Sequence, residues 1–267
     1  MIPKKIHYCW FGGNPLPELA IKCIDSWKKY CPDYEIIEWN EKNFDLNCNR
    51  YVKEAYECKK WAFITDYVRL YAMITQGGIY MDTDVEVLKN LDIFLGNKAF
   101  SGFEREDAIP TGIMACEKDF PLFKELLYDY NNRTFIKQNG DMDLTTNVTS
   151  ITNICLSHGL KLNNQKQTVK GFTLYPKDIF CPKSYETGKI ECTENTYTIH
   201  HFSGSWHTEK EKKFEEFERK FLNNHGQKKT DILTKNILYK LIKNLYIIGL
   251  KQTIKKMNEK LIRVKIK

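Results

Sequence analysis

Asp82 and Asp84 stand one residue apart in the stretch GGIYMDTDV, residues 77–85. Read as an extended run, this spacing puts both carboxylates on one side of a strand, roughly 6–7 Å apart. Two acids so placed repel each other unless a cation lies near them. Hard divalent ions such as Mg2+ and Mn2+ favour oxygen ligands and often keep phosphate oxygens in their shell. Such an ion can neutralise the charge on a departing diphosphate. The competing reading is an ordinary strand end entering a loop, since Asp-x-Asp arises often by chance.

Other residues add to this chemistry. Asp66 and Arg69 are three apart on the preceding helical run and so share a face. Tyr67, Leu70, Tyr71 and Ile74 imply that much of that helix is buried, and a buried Asp and Arg must pair or bind a polar ligand. A salt bridge tying helix to strand satisfies the same requirement. The stretch HHFSGSWH, residues 200–207, sets three histidines, two serines and Trp206 around a glycine turn. Its spacing matches no HExxH pattern. His200 or His201 can be merely structural. Alternatively, a His or Ser here completes an octahedral shell begun by the aspartates, if the fold brings residue 201 near residue 84. Trp206 can then cover a diphosphate or sugar. Trp10, near the end of the first strand, either stacks on a nucleobase or fills the core. Neither GxxxxGK[ST] nor GxGxxG follows that strand, so a bound nucleotide would need a metal at its phosphates.

The elements that position these residues are legible in the first ninety positions. KIHYCWFGG reads as a short buried strand ending in a glycine turn. PLPELAIKCIDSWKKYCP carries Leu19, Cys23, Ile24, Trp27 and Cys31 at helical spacing between prolines. YEIIEW is a second strand, a helix is predicted from about Trp61 to Gln76 with Gly77 as its C-cap, and GIYMDTDVEVL is the next strand. This order predicts a parallel α/β layer structure, in which ligands bind beyond the carboxyl ends of the strands. Further on, PLFKELLYDYNN and NVTSITNICLSHGL read as helices, and YTIHHFSGSW as a strand running into a turn. TEKEKKFEEFERKFLNNHG is a charged helix with Phe214, Phe217 and Phe221 on one stripe.

Composition bounds the rest. With 267 residues, 35 of them aromatic, the chain can build a full core. The opening apolar run is about six residues long, too short for a secretory h-region of roughly 7–15, and no stretch approaches the ~20 of a membrane span. A cytoplasmic protein is expected. The nine cysteines include no CxxC pair, so free thiols are expected. The net charge is +7, but residues 227–267 alone carry twelve basic residues against Asp231 and Glu259, so residues 1–226 sum to −3. In the tail, Ile237, Leu238, Leu241, Leu245 and Ile248 alternate with lysines at helical spacing. This predicts either a helix packed on the body or a basic amphipathic helix, residues 231–267, lying on an anionic membrane surface. The domains expected are therefore 1–226 and a basic tail, 227–267.

Over about residues 1–210 the sequence resembles the DXD-type sugar transferases of glycosyltransferase family 32, especially the capsular-polysaccharide members. The likeness is carried by IPKKIHYCWFGG, WAFITDYVRLYAMITQGGIYMDTDVEVL and HHFSGSW. More distantly the chain is similar to Golgi mannosyltransferases and to the glucosylating domains of bacterial toxins. The resemblance implies an α/β fold of GT-A type, a Rossmann-like mixed sheet flanked by helices, here with a C-terminal helical extension. It implies a nucleotide-sugar donor, with UDP-galactose or UDP-glucose favoured, and Mn2+ or Mg2+ as cofactor. It also implies a saccharide or lipid-linked oligosaccharide acceptor, retention of configuration, and no nucleic-acid partner.

Carried over, Asp84 is the direct metal ligand and Asp82 contacts ribose, metal or sugar. Asp66 and Arg69 hold donor sugar hydroxyls. Tyr80 lines the donor pocket and Trp10 neighbours the base. His201 and Ser203 join the metal, while Ser205 and Trp206 close over the diphosphate. Which of His200 and His201 faces the site stays open. The DLTTNVTSITN segment departs from the Gly-Pro of many relatives, which leaves Asp141, Asp143, Thr146 and Asn147 as weak acceptor-site candidates. A toxin-like protein glycosyltransferase and a non-catalytic nucleotide-sugar-binding or carbohydrate-binding protein are the alternatives.

Overall fold

A computed structural model of the chain describes residues 1–109, 112–205, 207–236, 238–249 and 253. Contacts divide it into two compact units: Met1–Ser184 with Ile190–Ser203, and Tyr185–Lys189 with Gly204–Lys267.

The first unit is built on one mixed sheet. Strands β1 (Lys5–Cys9), β2 (Glu35–Trp39) and β3 (Gly78–Met81) run parallel, with β1 in the centre. Helices α1 (Glu18–Tyr30), α2 (Arg50–Glu57) and α3 (Trp61–Gln76) make the connections. The parallel α/β start expected from the sequence is therefore present. Beyond β3 the sheet continues through strands that the sequence pattern did not reveal: β5 (Ala99–Gly102), β6 (Ile113–Cys116), β7 (Gln167–Val169) and β8 (Phe172–Tyr175). The order is β2-β1-β3-β6-β5-β8-β7, and β6 pairs antiparallel with both β3 and β5. Helices α4 (Pro121–Asp129) and α5 (Asn147–Ser157) stand where helical periodicity placed them, and the one-turn α6 (Lys177–Phe180) follows β8.

A second, two-stranded sheet pairs β4 (Val85–Val87) with β9 (Thr198–His200). Here one expectation needs correcting. GIYMDTDVEVL is not a single strand: β3 ends at Met81, β4 begins at Val85 in the other sheet, and Asp82, Thr83 and Asp84 form the turn between them. The Val85 N–H closes that turn on the Asp82 carbonyl at 3.0 Å. The two carboxylates are therefore brought together by a turn and not by strand alternation. α1 fixes where the turn ends. The buried Trp27 indole N–H donates to the Val85 carbonyl at 2.7 Å, and the Val87 N–H donates to Ser26 Oγ at 2.9 Å.

His7 locks the parallel strands from within. Its Nε2 donates to the Gly77 carbonyl at 2.8 Å, which leaves Nδ1 to accept from the Trp39 indole at 3.2 Å. Burial lowers its pKa, which favours the neutral ring. Gly77 caps α3 at φ +67°, as expected for a helix end. Gly78 follows at φ +115°, where a Cβ would sit 2.9 Å from the Lys5 carbonyl oxygen. The first unit's apolar residues pack as two clusters, one centred on α2, α3 and α4, the other on α1, Trp27 and Phe94.

The second unit is helical. α7 (Glu209–His225) opens with a capping box between Thr208 and Glu211, and α8 (Gln227–Lys235) follows, with helix again at 238–249. The Phe stripe of α7 meets the later helix: Phe214 contacts Tyr239 and Tyr246, and Phe217 stacks on Tyr239. Charge changes at residue 227, whereas the contacts of α7 are with the tail, so the two criteria divide the chain at different points. Ile237 and most of the tail beyond residue 249 lie outside the described residues. Among the described residues no helix is long and apolar enough to cross a membrane.

Candidate active site

Three titratable side chains converge where β3 gives way to β4. Donor atoms of Asp82, Asp84 and His200 all lie within 4.8 Å of one another. His200 reaches this point because β9 pairs it with Val85, the residue after Asp84. Its Nε2 lies 3.4 Å from Asp84 Oδ1. The question left open by sequence is thus resolved in geometry: His200 faces the aspartates, and His201 points to Glu86, with Nε2 at 2.8 Å from Oε2. His201 takes part through its backbone, whose N–H donates to the Asp84 carbonyl at 2.9 Å. Ser203 lies beside Asp84, and its backbone N–H donates to Asp84 Oδ2 at 2.6 Å. Phe202, between them, adopts φ +52°, an uncommon backbone for a non-glycine residue that turns the chain so Ser203 can reach back.

The aspartates have opposite electrostatic settings. Burial works against the ionised form of Asp84, but His200 and the Ser203 N–H outweigh it and hold the carboxyl well below the usual range. Burial pushes Asp82 up, against the pull of Arg69 and His200. Asp84 is thus held ionised, whereas burial works against the charge on Asp82 and Arg69 and His200 work for it. Two carboxylates and an imidazole suit a hard or borderline divalent ion such as Mn2+ or Mg2+.

Behind this triad lies a buried polar group supplied by α3. Arg69 Nη2 is 3.3 Å from Asp66 Oδ1 and 3.2 Å from Asp82 Oδ1, and its guanidinium lies 4.6 Å from the centre of the Tyr80 ring. The Tyr80 hydroxyl donates to Asp82 Oδ1 at 2.8 Å. Arg69, Asp66, Tyr80 and Asp82 are therefore one connected unit, as the sequence pairing of Asp66 with Arg69 implied. Asn147, at the first turn of α5, completes it: its N–H donates to Asp66 Oδ2 at 3.1 Å and its side-chain amide to the Asp66 carbonyl at 2.8 Å. Asn147 is buried, so its role here is to hold Asp66. Asp143 is taken up by Arg133 at 2.9 Å.

Burial pushes the Asp66 carboxyl up to about 6, against Arg69 and the Asn147 N–H. Its folded value thus exceeds the unfolded value of about 3.9. The stability it contributes is fully present below that unfolded value and is lost as pH rises through about 6. Asp66→Asn is expected to flatten the stability–pH curve between about pH 4 and 6, removing a swing on the order of 2 kcal/mol. Urea melts at stepped pH measure this, and an unchanged slope would show that Asp66 titrates normally.

The remaining expected residues are placed as follows. Trp10 follows β1, half-buried against the α1 cluster, with its indole N–H donating to the Asn14 carbonyl at 2.6 Å. Ser205 is exposed in a turn of the second unit, and Trp206 lies outside the described residues. Sequence reasoning missed Gly112, whose carbonyl accepts from the Asp82 N–H at 2.8 Å. A Cβ at Gly112 would sit 2.8 Å from His200 Nδ1, so only glycine lets the imidazole lie there without displacement. A single glycine in a loop carries no signal of that kind.

Residues 17–101, which hold Asp66, Arg69, Asp82 and Asp84, match the family model described as "Glycosyltransferase sugar-binding region containing DXD motif". Inositol phosphoceramide mannosyltransferase 3 of Schizosaccharomyces pombe is 26% identical over 134 residues, 47% of this chain and 36% of that protein. An uncharacterised glycosyltransferase of Acanthamoeba polyphaga mimivirus is 25% identical over 219 residues, 77% of this chain and 84% of that one. Among curated relatives the matched share of the relative's own length runs from 17% to 84%. The solved PaToxG glycosyltransferase aligns with a TM-score of 0.44 at 19% identity, over 58% of this chain and 69% of that one. By the family model, the segment that carries the aspartates and the buried arginine is similar to glycosyltransferase sugar-binding regions with a DXD motif.

Proposed function

We propose that the chain is a metal-dependent, retaining glycosyltransferase of GT-A type. It moves a hexose from a nucleotide sugar, UDP-galactose or UDP-glucose, to a glycan or lipid-linked saccharide in surface polysaccharide synthesis. The observation that carries this reading is the convergence of Asp82, Asp84 and His200 beside the Asp66–Arg69 pair.

Asp82, Asp84 and His200 would hold a divalent ion, Mn2+ or Mg2+, and such an ion would supply positive charge to offset that on the leaving diphosphate. The Ser203 N–H keeps Asp84 ionised and aimed. Arg69 and Asp66, fixed by Tyr80 and Asn147, present a donor and an acceptor to sugar hydroxyls and orient the ring. Substitution proceeds on the front face, with the leaving phosphate taking the acceptor hydroxyl's proton, so that no side chain bonds to the sugar. Release of nucleoside diphosphate from a panel of UDP- and GDP-sugars, with and without Mn2+, tests the reading. Metal-dependent release names the donor. Binding without release, even with saccharide acceptors present, would make the chain a nucleotide-sugar-binding protein.

The reading extends to location: a cytoplasmic enzyme held peripherally on the inner membrane face. The support is the +10 charge of residues 227–267 and an apolar groove of about 400 Å3 in the second unit, lined by Phe214, Phe217, Tyr239, Ile242 and Tyr246 with Lys213. Basic and apolar surface together suit an anionic lipid surface, each lysine near it adding about 1 kcal/mol. The full chain is expected to float with vesicles containing phosphatidylglycerol and to sediment without them. A variant lacking residues 231–267 that floats equally well would refute this.

A further inference from the structure

The His200 ring is held on every side. Asp84 faces Nε2, the Phe202 ring lies 4.2 Å away at a 38° tilt, and Gly112 leaves room beside Nδ1. Nδ1 itself is buried and has no hydrogen-bond partner among the described residues. Two groups besides Asp84 act on the ring: the Cys181 thiol, and the carboxylate of Glu104, whose Oε2 lies 3.9 Å from Nδ1. Glu104 is buried and follows β5, in a tight turn where its N–H donates to the Ala108 carbonyl at 3.0 Å. A carboxylate carried on a backbone so tied, on the far side of an imidazole, is placed to set its tautomer. Histidines that bind metal through one ring nitrogen usually donate the other N–H to a carboxylate, carbonyl or water.

We infer that Glu104 is a positioning residue that accepts the Nδ1–H of His200 and so directs the Nε2 lone pair toward an ion held by Asp82 and Asp84. The present Nδ1–Oε2 separation is 3.9 Å, and the hydrogen bond requires it to shorten to about 3 Å. The inference rests on the reading of Asp82, Asp84 and His200 as a cation site, and adds the residue that makes His200 a ligand instead of a counter-ion. An imidazole that offers its Nε2 lone pair to an ion carries its proton on Nδ1, the nitrogen that faces Glu104.

Direct titration with Mn2+, followed by the electron paramagnetic resonance of the free ion, tests this on the full chain. Glu104→Ala is expected to weaken Mn2+ binding by about 10- to 100-fold, and Glu104→Gln, which keeps an acceptor oxygen, by less. Cys181→Ser is expected to stay within about 2-fold of the parent chain. Saturating Mn2+ should restore most of the turnover of Glu104→Ala, which a fold defect would not allow. Parental affinity in both Glu104 variants, or a loss confined to Cys181→Ser, overturns the role of Glu104 while the cation site stands. A parent chain that binds no Mn2+ overturns the cation site and Glu104's role with it.

Discussion

Asp84→Asn is expected to reduce metal-dependent release of nucleoside diphosphate by about 100- to 1,000-fold, the effect typical of losing one charge-stabilising group in an active site. The substitution keeps the shape of the side chain and an oxygen for the Ser203 N–H, which now sits 2.6 Å away. It removes the one charge in the triad that is firmly ionised. It also removes the ion-pair partner of His200, so part of the mutant's cost is structural. The two effects separate by measurement. Circular dichroism and urea melts report the fold, and Mn2+ titration with donor release reports the site. A folded variant with less than a tenfold loss of release would reduce the Asp84–His200 contact to a salt bridge between β4 and β9.

The second large effect is expected at Arg69. It is the shared cation of two buried carboxylates, Asp66 and Asp82, and it is buried itself. Burial acts against its charge, but Asp82, Tyr80 and Asp66 keep the guanidinium protonated. Arg69→Ala takes the shared guanidinium from two buried acids, which costs about 3–5 kcal/mol at neutral pH. The sign of the pH dependence follows. Without Arg69 both carboxyl pKa values rise further, so the folded chain takes up protons more readily than the unfolded chain. The variant should therefore regain stability as pH falls from 7 toward 5, measured by urea unfolding. Arg69→Lys should recover only part of the loss, because an ammonium cannot lie flat on Tyr80 and reach both carboxylates. If Arg69→Ala were as stable as the parent at pH 7, the buried-pair account would be wrong.

Local pattern revealed a good part of this. Strands β1 and β2, helices α1 and α3, and the Gly77 cap follow from periodicity and punctuation in nearby residues. The pairing of Asp66 with Arg69 follows from helical spacing alone, and their burial from the apolar residues around them. What stayed hidden depends on partners distant in sequence. His200 ends β9 and His201 follows it with its side chain turned to Glu86, and only the register of β9 on β4 decides which one meets Asp84. Strands β5 and β6 are four-residue runs buried throughout, with no alternation to mark them. The turn at 82–84 was concealed because its residues are flanked by strand-forming residues on both sides. The boundary drawn at 226 followed charge, whereas α7 is tied to the tail by Phe214 and Phe217.

The β4–β9 ladder has a consequence for the order in which the chain comes together. β1, β2 and β3 are complete by residue 81, and the sheet can form from segments close in sequence. Closing β9 onto β4 joins residues 85 and 200, across a loop whose entropy must be overcome before the contact returns anything. A nascent chain that has emerged only as far as β8 thus carries both aspartates without the histidine that offsets them. Until the last strand docks, Asp82 and Asp84 repel each other with Arg69 as the nearest cation. The order of synthesis thus makes this site the last part of the first unit to be completed, and an early ion would find two carboxylates but no imidazole.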